Sequence, residues 1–158
     1  MKKHFIYILT LFICFSCSEK NTQWKAERNA TIFFGSEKDE KFELSFIKNG
    51  ELLSYKYVNQ IDSTKTIFIK KTTNSNSIFW GTEKFVMDKR KTFNDEKLND
   101  LEFEFYNMEK TVNDGTGPIL FNSEYGLLAI NNVYGPTLIF LKKKDSVLIK
   151  QIINKLRE

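Results

Sequence analysis

Apolar and polar side chains alternate with a period of two along most of the chain from Ala30 onward, the pattern of half-buried β-strands. In residues 41–48 (KFELSFIK), Phe42, Leu44 and Phe46 share one face. Asn49-Gly50 follows, a dipeptide suited to the positive φ angles of a tight hairpin, and residues 51–58 (ELLSYKYV) then align Leu53, Tyr55 and Tyr57. Residues 65–71 (KTIFIKK) form the next expected strand, with Ile67 and Ile69 opposite Phe68. A polar stretch (72–77, TTNSNS) leads to Ile78-Phe79-Trp80 and to residues 82–88. Residues 94–100 suit one helical turn. In residues 101–108 (LEFEFYNM), Leu101, Phe103 and Phe105 fall on one side, and Glu102 and Glu104 on the other. The composition of residues 113–118 (NDGTGP) marks a turn, and residues 119–121, 125–130 and 137–141 read as three further short strands.

The period changes only at the end of the chain. Ile149, Ile152, Ile153 and Leu156 recur at i, i+3, i+4 and i+7, one stripe of an amphipathic helix. Asp145 stands where an N-cap belongs, and Lys155 and Arg157 suit the negative end of the helix dipole, so a helix is expected from Asp145 to Arg157. The expected fold is mainly β (α+β): an antiparallel curved sheet or open barrel of about seven to nine strands with one helix packed on it.

The first residues obey another pattern. Met1-Lys2-Lys3 is basic, residues 5–15 (FIYILTLFICF) are uncharged, and Ser16-Cys17-Ser18 precedes the polar Glu19-Lys20. At ~1.5 Å per residue the apolar run covers roughly half of a ~30 Å hydrocarbon core, the length of a secretory h-region rather than of a membrane span. Ser16 is small enough for a peptidase pocket, and Ile13, before Cys14, is not. The stretch resembles a bacterial lipoprotein signal, and F-S-C-S-E-K resembles the looser form found in the Bacteroidota. The resemblance implies cleavage before Cys17, acylation of Cys17 and an address in the cell envelope, at the outer membrane on its periplasmic or surface side. The domains expected are a signal peptide over 1–16, a polar tether over 17–29 that lifts the domain from the headgroups, and a single β-rich domain over 30–158. Trp24 is the odd apolar residue in the tether, expected to dock on the domain or sit at the membrane interface.

Processing at that point removes Lys2, Lys3, His4 and Cys14, and lowers the formal charge from +4 to +2. His4 is the chain's one histidine, and Cys14 and Cys17 its two cysteines. The processed chain thus lacks the base of Ser-His-Asp and Cys-His catalysis, imidazole or thiolate metal ligands, and any internal disulfide. Its near-neutral balance gives no footing for nucleic acid. No cofactor is expected.

The remaining chemistry is sparse. Asp114-Gly115-Thr116-Gly117 lacks the Asp-Thr/Ser-Gly order of an aspartic protease and reads as a turn. Glu102 and Glu104, about 6.6–7 Å apart along a strand, have the spacing of a glycosidase pair, but two acids opposite an apolar face are commonly its solvated side. Asp95 with Glu96, and Glu83 with Asp88, are oxygen donors without EF-hand spacing. The basic runs 89–91 (KRK) and 142–144 (KKK) suit solvated turns or an anionic surface. Aromatic residues make up 15% of the chain, with fifteen phenylalanines. They fill a β core or line a cavity for an acyl chain, with Tyr55, Tyr57, Phe79, Trp80 and Phe103 as the candidate lining. The function expected is a membrane-anchored, non-enzymatic binding or envelope-maintenance lipoprotein. The alternatives are an interaction module for another envelope protein and, further off, a carboxylate-dependent hydrolase. The partners expected are the bilayer, through Cys17, and an apolar ligand or an envelope protein.

Overall fold

The computed structural model describes residues 21–34, 36–110 and 115–158. The signal segment and Cys17 lie outside them, as do Asn113 and Asp114. Ten antiparallel strands close into a barrel: β1 (Thr22–Phe34), β2 (Ser36–Asn49), β3 (Leu52–Asn59), β4 (Thr66–Thr72), β5 (Ser77–Trp80), β6 (Glu83–Phe93), β7 (Phe103–Met108), β8 (Thr116–Asn122), β9 (Gly126–Asn132) and β10 (Thr137–Leu141). Each strand pairs with its neighbour in sequence, and β1 pairs with β10 from Asn29↔Leu141 to Phe33↔Thr137. The antiparallel β architecture with a C-terminal helix is therefore as the sequence indicates, but the sheet is closed and has ten strands rather than seven to nine.

The extra strand comes from the stretch read as a tether. From Thr22 onward it is β1, paired with β2 without interruption from Thr22↔Lys48 to Phe34↔Ser36. Lys25, Glu27 and Asn29 face outward, so half of its residues are polar and hide the alternation of Trp24, Ala26, Arg28, Ala30 and Ile32 inside. Trp24 stacks on Phe46 with ring centroids 5.0 Å apart.

The β2–β3 hairpin forms where Asn49-Gly50 signals it, one residue later than the dipeptide implies. Asn49 pairs with Leu52, and Gly50 (φ 56°) and Glu51 make the two-residue loop. Glycine alone at the first central position is the type II′ solution, which also fits the twist of a hairpin. Thr116, Gly117 and Pro118, expected in a turn, open β8 instead.

The interior is filled by one cluster that includes Leu44, Tyr55, Tyr57, Ile69, Phe85, Tyr106, Phe121 and Phe140. Its rings touch in sequence: Phe46–Tyr55 at 5.0 Å, Tyr55–Phe121 at 4.9 Å and Tyr57–Phe140 at 5.1 Å. A second cluster lies outside the wall. Phe103, Phe105, Leu120, Leu128, Ala129 and Ile139 face outward from β7–β10 and are covered by the C-terminal segment through Leu148, Ile152 and Leu156. That segment is a 3₁₀ stretch, Lys143–Leu148, followed by a helix α1 over Ile149–Leu156. The helix is shorter than the expected 145–157. Asp145 is buried inside the 3₁₀ stretch and caps nothing, and Leu148 precedes the helix in a helical conformation. The apolar stripe is nevertheless used: Ile152 and Leu156 are buried, and Ile149 and Ile153 half-buried.

Residues 94–100 hold the expected turn as a 3₁₀ helix, Glu96–Leu98, with Asp95 Oδ1 accepting from the Lys97 N–H at 2.9 Å. The 89–91 basic run is exposed because the β6–β7 register breaks between Asp88 and Thr92. Among the described residues no helix is long and apolar enough to cross a membrane. The wall of β3 and β4 presents a mixed outer face, with Leu52, Lys56, Val58, Phe68 and Lys70 among its side chains, and an inner face that is apolar or aromatic except at Asn59 and Lys71.

Candidate functional site

Of the five residues expected as one lining, Tyr55, Tyr57 and Trp80 share the inner cluster, and Phe79 and Phe103 lie outside it. Tyr55 and Tyr57 are sealed in the barrel interior, where burial raises the pKa of both phenols far above the ordinary range. The Tyr55 hydroxyl donates to the Ser123 carbonyl at 2.5 Å, and the Tyr57 oxygen accepts from the Leu127 N–H at 2.6 Å. Trp80 is half-buried on the inner face against Phe85. Phe79 is its outward neighbour and is exposed. Phe103 lies on the far side of the wall, edge-on to Tyr125 at 5.2 Å.

The two glutamates also part. Glu102 precedes β7, is exposed, and offers its carbonyl to Asn122 Nδ2 at 2.8 Å. Glu104 shares the inner face with Tyr106, whose hydroxyl donates to it at 2.5 Å. The polar side of β7 is thus the barrel's inside, and its apolar side, Phe103 and Phe105, lies under the C-terminal segment. An apolar face marks a buried surface, and in this barrel two such surfaces exist.

Glu104 and Tyr106 meet a third polar group. Lys71 is 5% exposed and points inward beside Ile67 and Ile69. Its ammonium donates to the Ser75 carbonyl and, at 3.2 Å, to Tyr106 Oη. Burial lowers the Lys71 pKa, and the nearby Glu104 charge opposes that shift. Burial and the hydrogen bond to Glu104 raise the Tyr106 phenol far above its usual value. Arg28, 5% exposed, sits with its guanidinium 4.3 Å from the Tyr125 ring centroid and donates to the Glu27 and Tyr125 carbonyls. Its Nε has no hydrogen-bond partner among the described residues. Burial pushes the Tyr125 phenol up to about 12.

An open concavity lies at the end of the barrel where the β3–β4 and β9–β10 connections turn. It measures about 420 Å³, within the ~300–1,000 Å³ of small-molecule sites. Ile32, Phe42, Ile67, Pro136 and Leu138 give it an apolar lining. Lys38, Glu40 and Lys65 form its charged rim. Glu40 is buried and binds both lysines at 2.8 Å, while Asn59 Nδ2 donates to its other oxygen at 2.5 Å. The hydrogen bonds from Lys38 and Lys65 hold the Glu40 carboxyl below the usual carboxylate range, and the hydrogen bond to Glu40 raises the Lys65 pKa. Two ammonium groups against one carboxylate leave the rim with a net positive charge beside an apolar floor.

None of these rim residues stands out in the sequence. The signal that was available is parity: Lys38 and Glu40 continue the inward series Phe42, Leu44, Phe46. A second groove, of about 410 Å³, runs along β1 and β2 around Trp24, Phe46 and Ile47. Comparison with protein-family models, curated proteins and solved structures finds no match for the chain.

Proposed function

We propose that the chain is a lipid-anchored binding protein of a bacterial cell envelope that takes up a small amphiphile without transforming it. The amphiphile has one anionic head and an apolar tail. The observation that supports this reading is the 420 Å³ concavity, apolar at Ile32, Phe42, Ile67 and Leu138, with Lys38 and Lys65 at its rim. The lysines meet the head, and Glu40 holds them in place while cancelling one of their two charges. The apolar floor takes the tail. The anchor rests on the Ser16-Cys17 junction and the short apolar run before it.

Two measurements test the reading. Titration of the processed chain with cis-parinaric acid should give saturable fluorescence. Lys38→Gln with Lys65→Gln should weaken that binding several-fold, and Glu40→Gln should strengthen it by unmasking the rim charge. Absence of saturable binding, or equal affinity for the corresponding neutral alcohol, overturns the ligand assignment. Intact-mass analysis of the membrane-extracted protein should show an acylated Cys17, lost in Cys17→Ser; an unmodified Cys17 refutes the anchor.

A further inference from the structure

The C-terminal segment covers the outer wall of β7–β10, and the wall of β3–β5 carries no such cover among the described residues. Its outward side chains are Leu52, Ser54, Lys56 and Val58 on β3, Thr66, Phe68, Lys70 and Thr72 on β4, and Ser77 and Phe79 on β5. None is acidic. Lysine and phenylalanine face one another across the strands: Lys56↔Phe68 and Lys70↔Phe79, with Lys84 of β6 opposite Phe79 on its other side. Phe68 is 36% exposed and Phe79 41%, and Leu52 extends the apolar surface at 42%. The Lys70 ammonium lies 5.1 Å from the Phe68 ring centroid. Lys84 is compensated by Glu109 at 2.6 Å, whereas Lys56 and Lys70 have no acid partner among the described residues.

We infer that the outer wall of β3–β5 is a docking surface for an anionic bilayer. Charge complementarity selects a negative partner, because the wall holds two uncompensated cations and no acid. The interleaved rings select a lipid interface over a polar polymer, because Phe68, Phe79 and Leu52 gain from entering the headgroup boundary while the lysines stay at phosphate depth. The inference goes beyond ligand uptake and holds with or without the acyl chain. β1 begins at Thr22, so the few residues after Cys17 reach at most ~3.6 Å each, which keeps an anchored barrel against the bilayer.

The test uses the chain from Ser18 to Glu158, which carries every described strand and no acyl group. Co-sedimentation is measured with phosphatidylcholine vesicles containing about 30% phosphatidylglycerol, and with pure phosphatidylcholine, since anionic lipid supplies the attracting surface potential. Binding should appear only with the anionic vesicles and fall away near 0.5 M salt, where the screening length is only a few ångströms. Lys56→Glu with Lys70→Glu should weaken it by at least about 25-fold, roughly five-fold per lysine removed from the surface. Phe68→Ser with Phe79→Ser should also weaken it, with the thermal midpoint unchanged. Lys144→Glu with Lys150→Glu, on the helix-bearing side, should leave it within about two-fold, as that side faces away. Equal loss in the control pair, equal binding to neutral vesicles, or no vesicle binding overturns the inference. Binding to soluble polygalacturonate in place of vesicles overturns it in favour of an anionic glycan.

Discussion

Gly126 is the position where one added carbon does most damage. Its φ is +90°, a backbone conformation that costs an L-residue about 1–2 kcal/mol. A Cβ built there overlaps the Tyr57 hydroxyl and lies 3.4 Å from Tyr55 Cδ1 and 3.5 Å from Leu44 Cδ2. Neither neighbour can yield in a core of touching rings, so Tyr57 must withdraw its oxygen from the Leu127 N–H it accepts from at 2.6 Å. Leaving that buried N–H unpaired costs about 1–3 kcal/mol. Gly126→Ala is therefore expected to cost about 2–5 kcal/mol, a large part of the ~5–15 kcal/mol that holds a domain of this size together. Urea unfolding at constant m-value is the assay. Tyr57→Phe alone should cost about 1–3 kcal/mol, through the same orphaned N–H. In the double variant the overlap is gone and the N–H is lost only once, so its cost should fall short of the sum by about 1–3 kcal/mol. Strict additivity, or a cost below about 1 kcal/mol for Gly126→Ala, would show that the overlap does not exist in solution.

Three further outcomes follow from the same geometry. The Glu40 carboxyl has a folded pKa below its ordinary 4.5, so its contribution is complete above that pH and is lost as pH falls through the folded value; urea midpoints of wild type and Glu40→Gln, measured across a pH series, should converge as pH drops below 4.5 and separate above it. Lys71 has a folded pKa below 10.5, so the unfolded chain binds the extra proton and stability should rise with pH up to that value; Lys71→Met should remove the rise in denaturant titrations, and a rise of the same size in the variant refutes the assignment. Ile152→Ala should cost about 2–4 kcal/mol, because it empties the buried stripe of α1, and calorimetry giving less than about 1 kcal/mol would mean that the helix is not docked in solution.

Much of the wall was legible because its strands are short, regular and paired in order. Phe42-Leu44-Phe46 and Leu53-Tyr55-Tyr57 announce their inward faces, and the β2–β3 turn lies within one residue of Asn49-Gly50. The hidden parts have physical reasons. β1 carries Lys25, Glu27 and Asn29 outward and Arg28 inward, so a strand with polar residues on both faces looks like a linker. β7 misleads in another way: Phe103 and Phe105 are apolar because a helix covers them, and no local pattern distinguishes that cover from a barrel core. The rim of the concavity was illegible because Lys38, Glu40 and Lys65 become one site only when β2 and the β3–β4 connection meet in space.

The pairing of β1 with β10 means that the barrel can close only when both of its terminal strands are present. A chain that emerges from its N-terminus exposes β1 first, and that strand's second edge waits until Thr137–Leu141 has appeared. Until then both rims of the growing sheet are open, and the rings of Phe42, Phe46 and Tyr55 have no enclosed interior to share. Closure depends on pairing the two strands farthest apart in sequence, a long-range contact of the kind that slows folding. A polypeptide of this design stays threadable until its last strand is delivered, and then loses every free edge in a single step.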